Sequence, residues 1–130
     1  MKEHPKFYML FNHTLSTKQE ADAREHFGVN AFVQMPDAIK KIWSEIPAED
    51  ESLHLSLAPV WKYLDRLEAG DVVLIQGDFG ASYLAVQYVK DKDAIAVYAT
   101  TKRHAIEKKV GNKMLKTSVF EHVRYRVYGQ

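Results

Sequence analysis

The sequence predicts an α/β fold: a Rossmann-like, mostly parallel sheet with helices on both faces and a C-terminal β-hairpin. Short apolar runs that suit buried strands alternate along the chain with amphipathic stretches that suit helices. The runs are apolar at almost every position, which is typical of parallel strands covered on both faces. After Arg103 the pattern changes to the alternation with a period of two that a hairpin requires.

The first half of the chain predicts two strands and three helices. Ser16 or Thr17 can cap the first helix, and Gly28 suits its C-terminal end. Pro36 suits the first turn of a second helix, which Pro47 stops. The predicted elements are a strand Phe7–Phe11, a helix ending at Gly28, a strand Ala31–Met35, a helix from Pro36 through Ile46, and a helix Leu53–Leu67 closed by Gly70.

The second half predicts a central strand and helix, a further strand and the hairpin. The run "VVLI" suits a buried strand, and "AIAVYATT" is a second continuous apolar run that ends in hydroxyl groups. The tripeptide "GNK" suits the tip of the hairpin. The predicted elements are a strand Val72–Ile75, a helix from Ala81 to Val89, a strand Ala94–Thr101, and a hairpin over about 103–128.

Length and composition indicate one soluble domain over residues 1–130. The chain is 46% apolar and 27% charged, and no repeat or linker interrupts it. It has no cysteine, which excludes disulfides and thiolate chemistry and favours a reducing cytoplasm. The stretch Met1–Tyr8 lacks the apolar core of a signal peptide, and no apolar run is as long as a membrane span. We therefore expect a cytoplasmic protein that does not associate with membranes.

Charge is distributed unevenly along the chain. Residues 1–70 hold 8 Lys/Arg and 11 Asp/Glu, whereas residues 102–130 hold 8 Lys/Arg and 2 Asp/Glu, a net charge of +6. A basic C-terminal segment on a nearly neutral protein indicates an anionic partner. The alternative is that these charges form an ordinary solvated face.

Polar residues follow three of the predicted strands. Because ligands of open parallel sheets bind beyond the carboxyl ends of the strands, we expect these residues to meet at one edge. They are Asn12 and His13 after the first strand; Gln76, Gly77, Asp78, Phe79, Gly80, Ala81 and Ser82 after the third; and Thr100, Thr101, Lys102 and Arg103 after the fourth.

The "GDFGAS" turn predicts an anion site. Gly77 and Gly80 permit a tight turn that exposes backbone N–H groups at a helix N-terminus, and Ser82 can add a hydroxyl. The alternative is that the glycines only satisfy the turn geometry and that Asp78 caps the helix. The segment is neither a dinucleotide fingerprint nor a P-loop, because the required glycine spacing and lysine are absent.

Cations and histidines supply the remaining candidate chemistry. Lys102 and Arg103 can hold phosphate oxygens, although they could equally be a surface pair that leads into the hairpin. His13 and His122 can transfer protons near neutral pH, although a lone histidine in a strand is more often structural. His13, Asp78 and His122 could meet in space, but no metal-ligand spacing is visible. We therefore predict neither a metal nor a cofactor.

Four segments carry a resemblance to a known family. They are "FNHTLS" after the first strand, "GDFGASY" after the central strand, "YATTKR" after the next, and "SVFEHVRYR" in the tail. Over nearly the whole chain, and in the same order, they resemble a small stand-alone family of CRISPR-associated Csx-type ring nucleases, which accompany type III CRISPR systems.

The resemblance implies a CARF-related homodimer that binds a cyclic oligoadenylate, with cyclic tetra-adenylate as the expected ring. It implies cleavage of this second messenger without a metal: a ribose 2′-hydroxyl attacks the adjacent phosphorus, which leaves 2′,3′-cyclic phosphate ends and switches off the signal. No catalytic residue is carried over from the family; from the side-chain chemistry described above we assign catalysis to His13, His122, Lys102 and Arg103. The assigned ligand-binding residues are Asn12, Gln76, Gly77, Asp78, Phe79, Gly80, Ala81, Ser82, Thr100, Thr101 and Arg124.

Two other classes of function remain open from the sequence. A binding module could sequester or sense the cyclic nucleotide without cleaving it, because it would need the same phosphate-binding loops. A protein-interaction domain could instead use the basic face of the hairpin. General binding of duplex DNA is disfavoured, because the net charge is only +1 and no recognition helix is evident.

Overall fold

A computed structural model describes residues 5–130 as a five-stranded sheet covered by four helices. Residues 1–4, part of the stretch assessed for a signal peptide, lie outside the described residues. In chain order the elements are β1 (Lys6–Leu10), α1 (Thr17–Phe27), β2 (Ala31–Val33), α2 (Asp37–Ser44), α3 (Ala58–Leu64), β3 (Val72–Ile75), α4 (Phe79–Asp91), β4 (Ile95–Val110) and β5 (Lys113–Val127).

The sheet is parallel except at one edge. Its strand order is β2-β1-β3-β4-β5, and only the β4–β5 pair is antiparallel. The chain moves from β1 outward to β2 and later from β3 outward to β4. The order therefore reverses between β1 and β3, the point where ligands of such sheets usually bind.

Helices cover both faces of the sheet, as predicted. On one face, Ala23 of α1 packs against Phe7, Val72 and Val97 of the sheet. On the other face, residues of α2, α3 and α4 pack against a second set of strand residues, among them Trp43 of α2. All four residues of β3 are fully buried, because this central strand is covered from both sides.

Local capping fixes the ends of the first helix as the sequence predicts. The Ser16 hydroxyl accepts a hydrogen bond from the Gln19 backbone N–H, and the Gln19 side chain accepts one from the Ser16 N–H. Gly28 ends the helix in the left-handed conformation, with φ of 68°, which glycine adopts without steric cost.

The largest difference from the prediction is the length of β4. The predicted strand ended at Thr101, with a separate hairpin after Arg103, but β4 continues without interruption to Val110. A turn at Gly111 then leads into β5, and the two strands pair from Val97–Val127 out to Val110–Lys113. Residues 101–121, which we call the arm, extend beyond the carboxyl edge of the sheet as an exposed two-stranded ribbon.

Other boundaries differ by smaller amounts. The helix predicted over Leu53–Leu67 is observed only over Ala58–Leu64, because Pro59 favours a helix start beside it and residues 54–57 form a turn. The central helix begins at Phe79 rather than Ala81, since Asp78 is its cap. In residues 5–130, no helix has the length and apolar character needed to cross a membrane.

Candidate functional site

A hollow of about 460 Å³ lies at the carboxyl edge of the sheet, between α4 and the β4–β5 pair. That volume is in the range of small-molecule sites, and the hollow is mainly apolar and aromatic. Its lining residues are Gln76, Gly77, Phe79, Ser82, Tyr83, Val86, Tyr98 and Tyr128.

Gln76 and Gly77 form the floor of the hollow and are held rigidly. The Gln76 side-chain oxygen accepts a hydrogen bond from the Ala99 N–H at 2.9 Å, and its carbonyl accepts one from the Trp43 indole at 3.0 Å. A Cβ at Gly77 would lie 2.7 Å from the Trp43 indole nitrogen. Gly77 is therefore required by close packing against Trp43, not by the backbone angles of a tight turn.

The N-terminus of α4 is capped within the chain. The Asp78 carboxylate accepts a hydrogen bond from the Ala81 N–H at 3.0 Å. The alternative interpretation of Asp78 as a cap is thus confirmed, and the prediction that Ala81 offers its amide to an anion is wrong. Gly80 has ordinary space around it, and Phe79 extends into solvent beside the hollow with 95% of its surface exposed.

Ser82 presents a polar atom with no partner. Ser82 is 9% exposed, and its buried Oγ has no hydrogen-bond partner. Because buried hydroxyl groups are normally paired, an unpaired one in the wall of a hollow indicates a place for a ligand oxygen or nitrogen.

Two tyrosines form the opposite wall: Tyr98 of β4 and Tyr128, which directly follows β5. The rings of Tyr98 and Tyr128 contact each other with centroids 4.8 Å apart. Tyr128 donates a hydrogen bond to the Ile75 carbonyl at 2.6 Å, and burial raises the pKa of its hydroxyl, so it remains a donor at neutral pH. Arg126 donates to the Tyr98 hydroxyl at 3.0 Å.

Cations extend from the hollow along one face of the hairpin. Arg126 pairs with Tyr98, Arg124 with Thr100, and alternate residues of a strand share a face. Arg124 and Arg126 therefore lie on the face of the hollow, which we call the Arg124 face. Lys102 lies beyond an irregularity in the pairing between Thr100 and Thr101, and it pairs with Glu121, whose carboxylate accepts a hydrogen bond from Lys18 of α1 at 3.2 Å. The Thr100 hydroxyl donates to the Arg124 carbonyl at 3.1 Å, which ties the two strands together there.

Arg103 and Thr101 lie on the other face of the same strand. The expected loop from Thr100 to Arg103 is a continuous part of β4, so successive side chains point to opposite sides. Arg103 donates a hydrogen bond to the Ser118 hydroxyl at 2.8 Å. Within one chain, Lys102 and Arg103 therefore do not hold the same phosphate group together, as the sequence had suggested.

His122 lies on the α1 side of the sheet, away from the hollow. Its Nε2 is 2.7 Å from a carboxylate oxygen of Asp22 in α1, and its side chain is 3% exposed. The ring packs against Tyr125, which belongs to the α1-side core. Its Nδ1 is buried without a hydrogen-bond partner.

His13 and Asn12 follow β1 but do not line the large hollow. His13 is exposed, contacts the Phe11 ring at 5.2 Å, and borders a small hollow of about 30 Å³ with Lys40. The Asn12 side-chain oxygen is buried and has no hydrogen-bond partner. The structure thus brings Gln76, Phe79, Ser82 and the Arg124 face together, while both candidate histidines lie elsewhere.

His13, Asp78 and His122, which could have met in space, have separate surroundings. Within residues 5–130 no group of three or more His, Asp or Glu side chains is arranged to hold a metal ion. His122 is paired with Asp22, and Asp78 caps α4, so the three residues that could have met are used separately.

Sequence reasoning missed part of the lining and one buried partner. The predicted site residues included none of Tyr83, Val86, Tyr98, Arg126 and Tyr128. Tyr98 and Thr100 are two positions apart in the strand "VYATT", so their side chains lie on the same face. This spacing was the available signal for one wall of the hollow. Asp22 had no local signal, because 100 residues separate it from His122.

Comparison with known proteins assigns the chain to a family. The Uncharacterized protein MJ1673 family matches residues 5–126. The chain is 38% identical over 125 residues to a protein named Uncharacterized protein MJ1673 from Methanocaldococcus jannaschii. The aligned residues cover 95% of this chain and 97% of that protein. No solved structure matches the chain significantly. With nearly its whole length matched, the chain belongs to the Uncharacterized protein MJ1673 family.

Proposed function

We propose that the protein is a ring nuclease that binds cyclic oligoadenylate in the hollow at the carboxyl edge and opens it without a metal. The observation that carries the proposal is the composition of this hollow. Four exposed or half-buried aromatic rings surround the unpaired Ser82 hydroxyl, next to a face that carries Arg124 and Arg126. Rings that stack on bases, together with cations that hold phosphates, are the combination that single-stranded RNA requires.

The proposal includes a Rossmann-like, CARF-related fold. It is supported by the strand order β2-β1-β3-β4, by the helical crossovers between parallel strands, and by a hollow at their carboxyl edge. A ring of four nucleotides has two-fold symmetry, so a pair of identical subunits, each with one hollow, matches it.

Cleavage in this proposal depends mainly on orientation. The 2′-oxygen of a ribose forms a bond to the adjacent phosphorus, the bond from that phosphorus to the 5′-oxygen breaks, the 2′-hydroxyl releases its proton and the 5′-oxygen gains one. Stacking on Tyr83 and Tyr98 would hold neighbouring bases and so fix the in-line geometry, which can lower the barrier by about 7 kcal/mol or more. Cations of the Arg124 face would stabilise the charge on phosphorus.

One observation favours a non-catalytic alternative. None of the residues that line the hollow is a histidine or a carboxylate, so a single chain supplies no group there that titrates near neutral pH. A protein that only sequesters or senses the cyclic nucleotide would need the hollow and the cations, and nothing more.

Incubation with cyclic tetra-adenylate in EDTA tests the proposal and separates the two functions. We expect linear products with 2′,3′-cyclic phosphate ends to accumulate over many turnovers when the products are resolved by chromatography. Intact ligand after stoichiometric binding would support the sequestering function. Neither binding nor cleavage would reject both functions.

A further inference from the structure

The arm remains exposed beside the rest of the described chain, although Lys18 of α1 donates a hydrogen bond to Glu121 at its base at 3.2 Å. Every residue from 101 to 121 is exposed, and the ribbon from Thr101 to Val110 is about 30 Å long at 3.4 Å per residue. A two-stranded ribbon is only marginally stable in water unless a further strand or helix packs against it. The arm therefore needs a surface that residues 5–130 of its own chain do not provide.

Apolar residues form a continuous stripe on one face of the arm. His104 pairs with Val119, Ile106 with Thr117, Lys108 with Leu115, and Val110 with Lys113, so all eight share a face. The aliphatic residue changes strand at each step, which produces a zigzag. The stripe consists of Val119, Ile106, Leu115 and Val110, each 45–50% exposed.

The opposite face of the arm carries no such stripe. Its two large apolar side chains, Phe120 and Met114, pair with Arg103 and Lys109 at opposite ends of the ribbon. Lys108 and Lys113 instead flank the stripe, so the surface to be covered is apolar with positive edges. Its partner should be apolar with negative edges.

The body of the chain carries a surface of that description. A second hollow of about 340 Å³ is lined by Leu53, Leu84 and Tyr83, with Glu51 in its wall. The preceding residues Glu49 and Asp50 are also exposed, and Leu55 is 90% exposed shortly after them. This acidic loop belongs to the half of the chain that holds 11 acidic and 8 basic residues.

We propose that two copies of the chain exchange arms, so that the stripe of each arm packs into the second hollow of the other copy. Lys108 and Lys113 then lie near the acidic loop of the partner, and the contact is repeated by a two-fold axis. Because Tyr83 lines both hollows, the incoming arm also adds a wall beside the candidate ligand site. The proposal specifies the interface of the homodimer assumed above, but it concerns association without any nucleotide.

Sedimentation of the 130-residue chain without nucleotide tests the stripe. We expect a mass of twice the 15.0 kDa of one chain. The double variant Ile106→Lys/Leu115→Lys should weaken association about 100-fold, because it places charge in the apolar contact. The control Met114→Lys/Phe120→Lys adds the same charge on the opposite face and should leave the mass unchanged. Equal weakening by both variants, or a monomeric wild-type protein, would overturn the proposal.

A charge exchange distinguishes arm-on-body packing from arm-on-arm packing. Lys108→Glu/Lys113→Glu and Glu49→Lys/Glu51→Lys should each give monomers, whereas an equimolar mixture of the two variants should form dimers, since both contacts are then complementary. If the Glu49→Lys/Glu51→Lys variant still forms dimers as the wild-type protein does, the proposed contact between the arm and the body of the other copy is rejected.

Two further outcomes separate this interface from the proposed function. A monomer whose arm binds duplex nucleic acid through its lysines would also overturn the proposal. Dimers that do not bind cyclic tetra-adenylate would contradict the proposed function and leave the interface standing, whereas monomers that bind it would do the reverse.

Discussion

Replacing Gly77 by alanine is expected to lower the free energy of unfolding by about 3 kcal/mol. The new Cβ would lie 2.7 Å from the indole nitrogen of Trp43, a side chain that is 2% exposed and cannot move freely. Displacing the indole also breaks its 3.0 Å hydrogen bond to the Gln76 carbonyl. Denaturant unfolding followed by tryptophan fluorescence measures the loss.

Gly80→Ala is the matched control for this prediction. A Cβ at Gly80 meets only Asp78 and Leu53 atoms, at 3.5 and 3.6 Å, and the position lies in the first turn of α4. Alanine favours helices over glycine by up to about 1 kcal/mol, so stability should be unchanged or slightly raised. A Gly77→Ala protein as stable as Gly80→Ala would show that Trp43 does not pack against the turn as described.

His122→Ala is expected to cost about 2–3 kcal/mol of unfolding free energy. The substitution leaves a space beside Tyr125 and removes the partner of Asp22, whose carboxylate oxygen is 2.7 Å from Nε2. Thermal and denaturant unfolding measure the effect. His104→Ala is the control, because its side chain is half exposed and should change stability by no more than about 0.5 kcal/mol.

The same variant tests the catalytic role that the sequence suggested for His122. Because the residue lies on the α1 side of the sheet, we expect the folded variant to bind cyclic tetra-adenylate as the wild-type protein does and to retain cleavage. Unchanged stability together with lost cleavage would show that His122 acts in the reaction, for instance after a rearrangement between two subunits.

The order of strands and helices followed from the sequence because it depends on local patterns. Apolar runs such as "VVLI" can be satisfied only in a central strand, and the Ser16 cap and Gly28 stop are local signals for helix ends. These features need no knowledge of which residues meet in space.

Features set by distant contacts could not be predicted in the same way. The need for Gly77 arises from Trp43, 34 positions earlier, and the surroundings of His122 arise from Asp22. The alternation of "TTKRHAIEKKV" is equally compatible with a loop and a new hairpin, so the continuity of β4 was not visible. That continuity separates Lys102 from Arg103 and creates the arm.

The proposed function requires an anion-binding face beside the aromatic hollow. Calorimetric titration of cyclic tetra-adenylate at two salt concentrations measures whether that face binds the phosphates. Arg124→Ala and Arg103→Ala remove the same side chain from opposite faces of the hairpin. We predict that Arg124→Ala weakens binding about 10-fold and reduces the salt dependence by about one phosphate contact, while Arg103→Ala changes neither. Equal losses from both variants, or no binding by the wild-type protein, would show that this face does not hold the nucleotide.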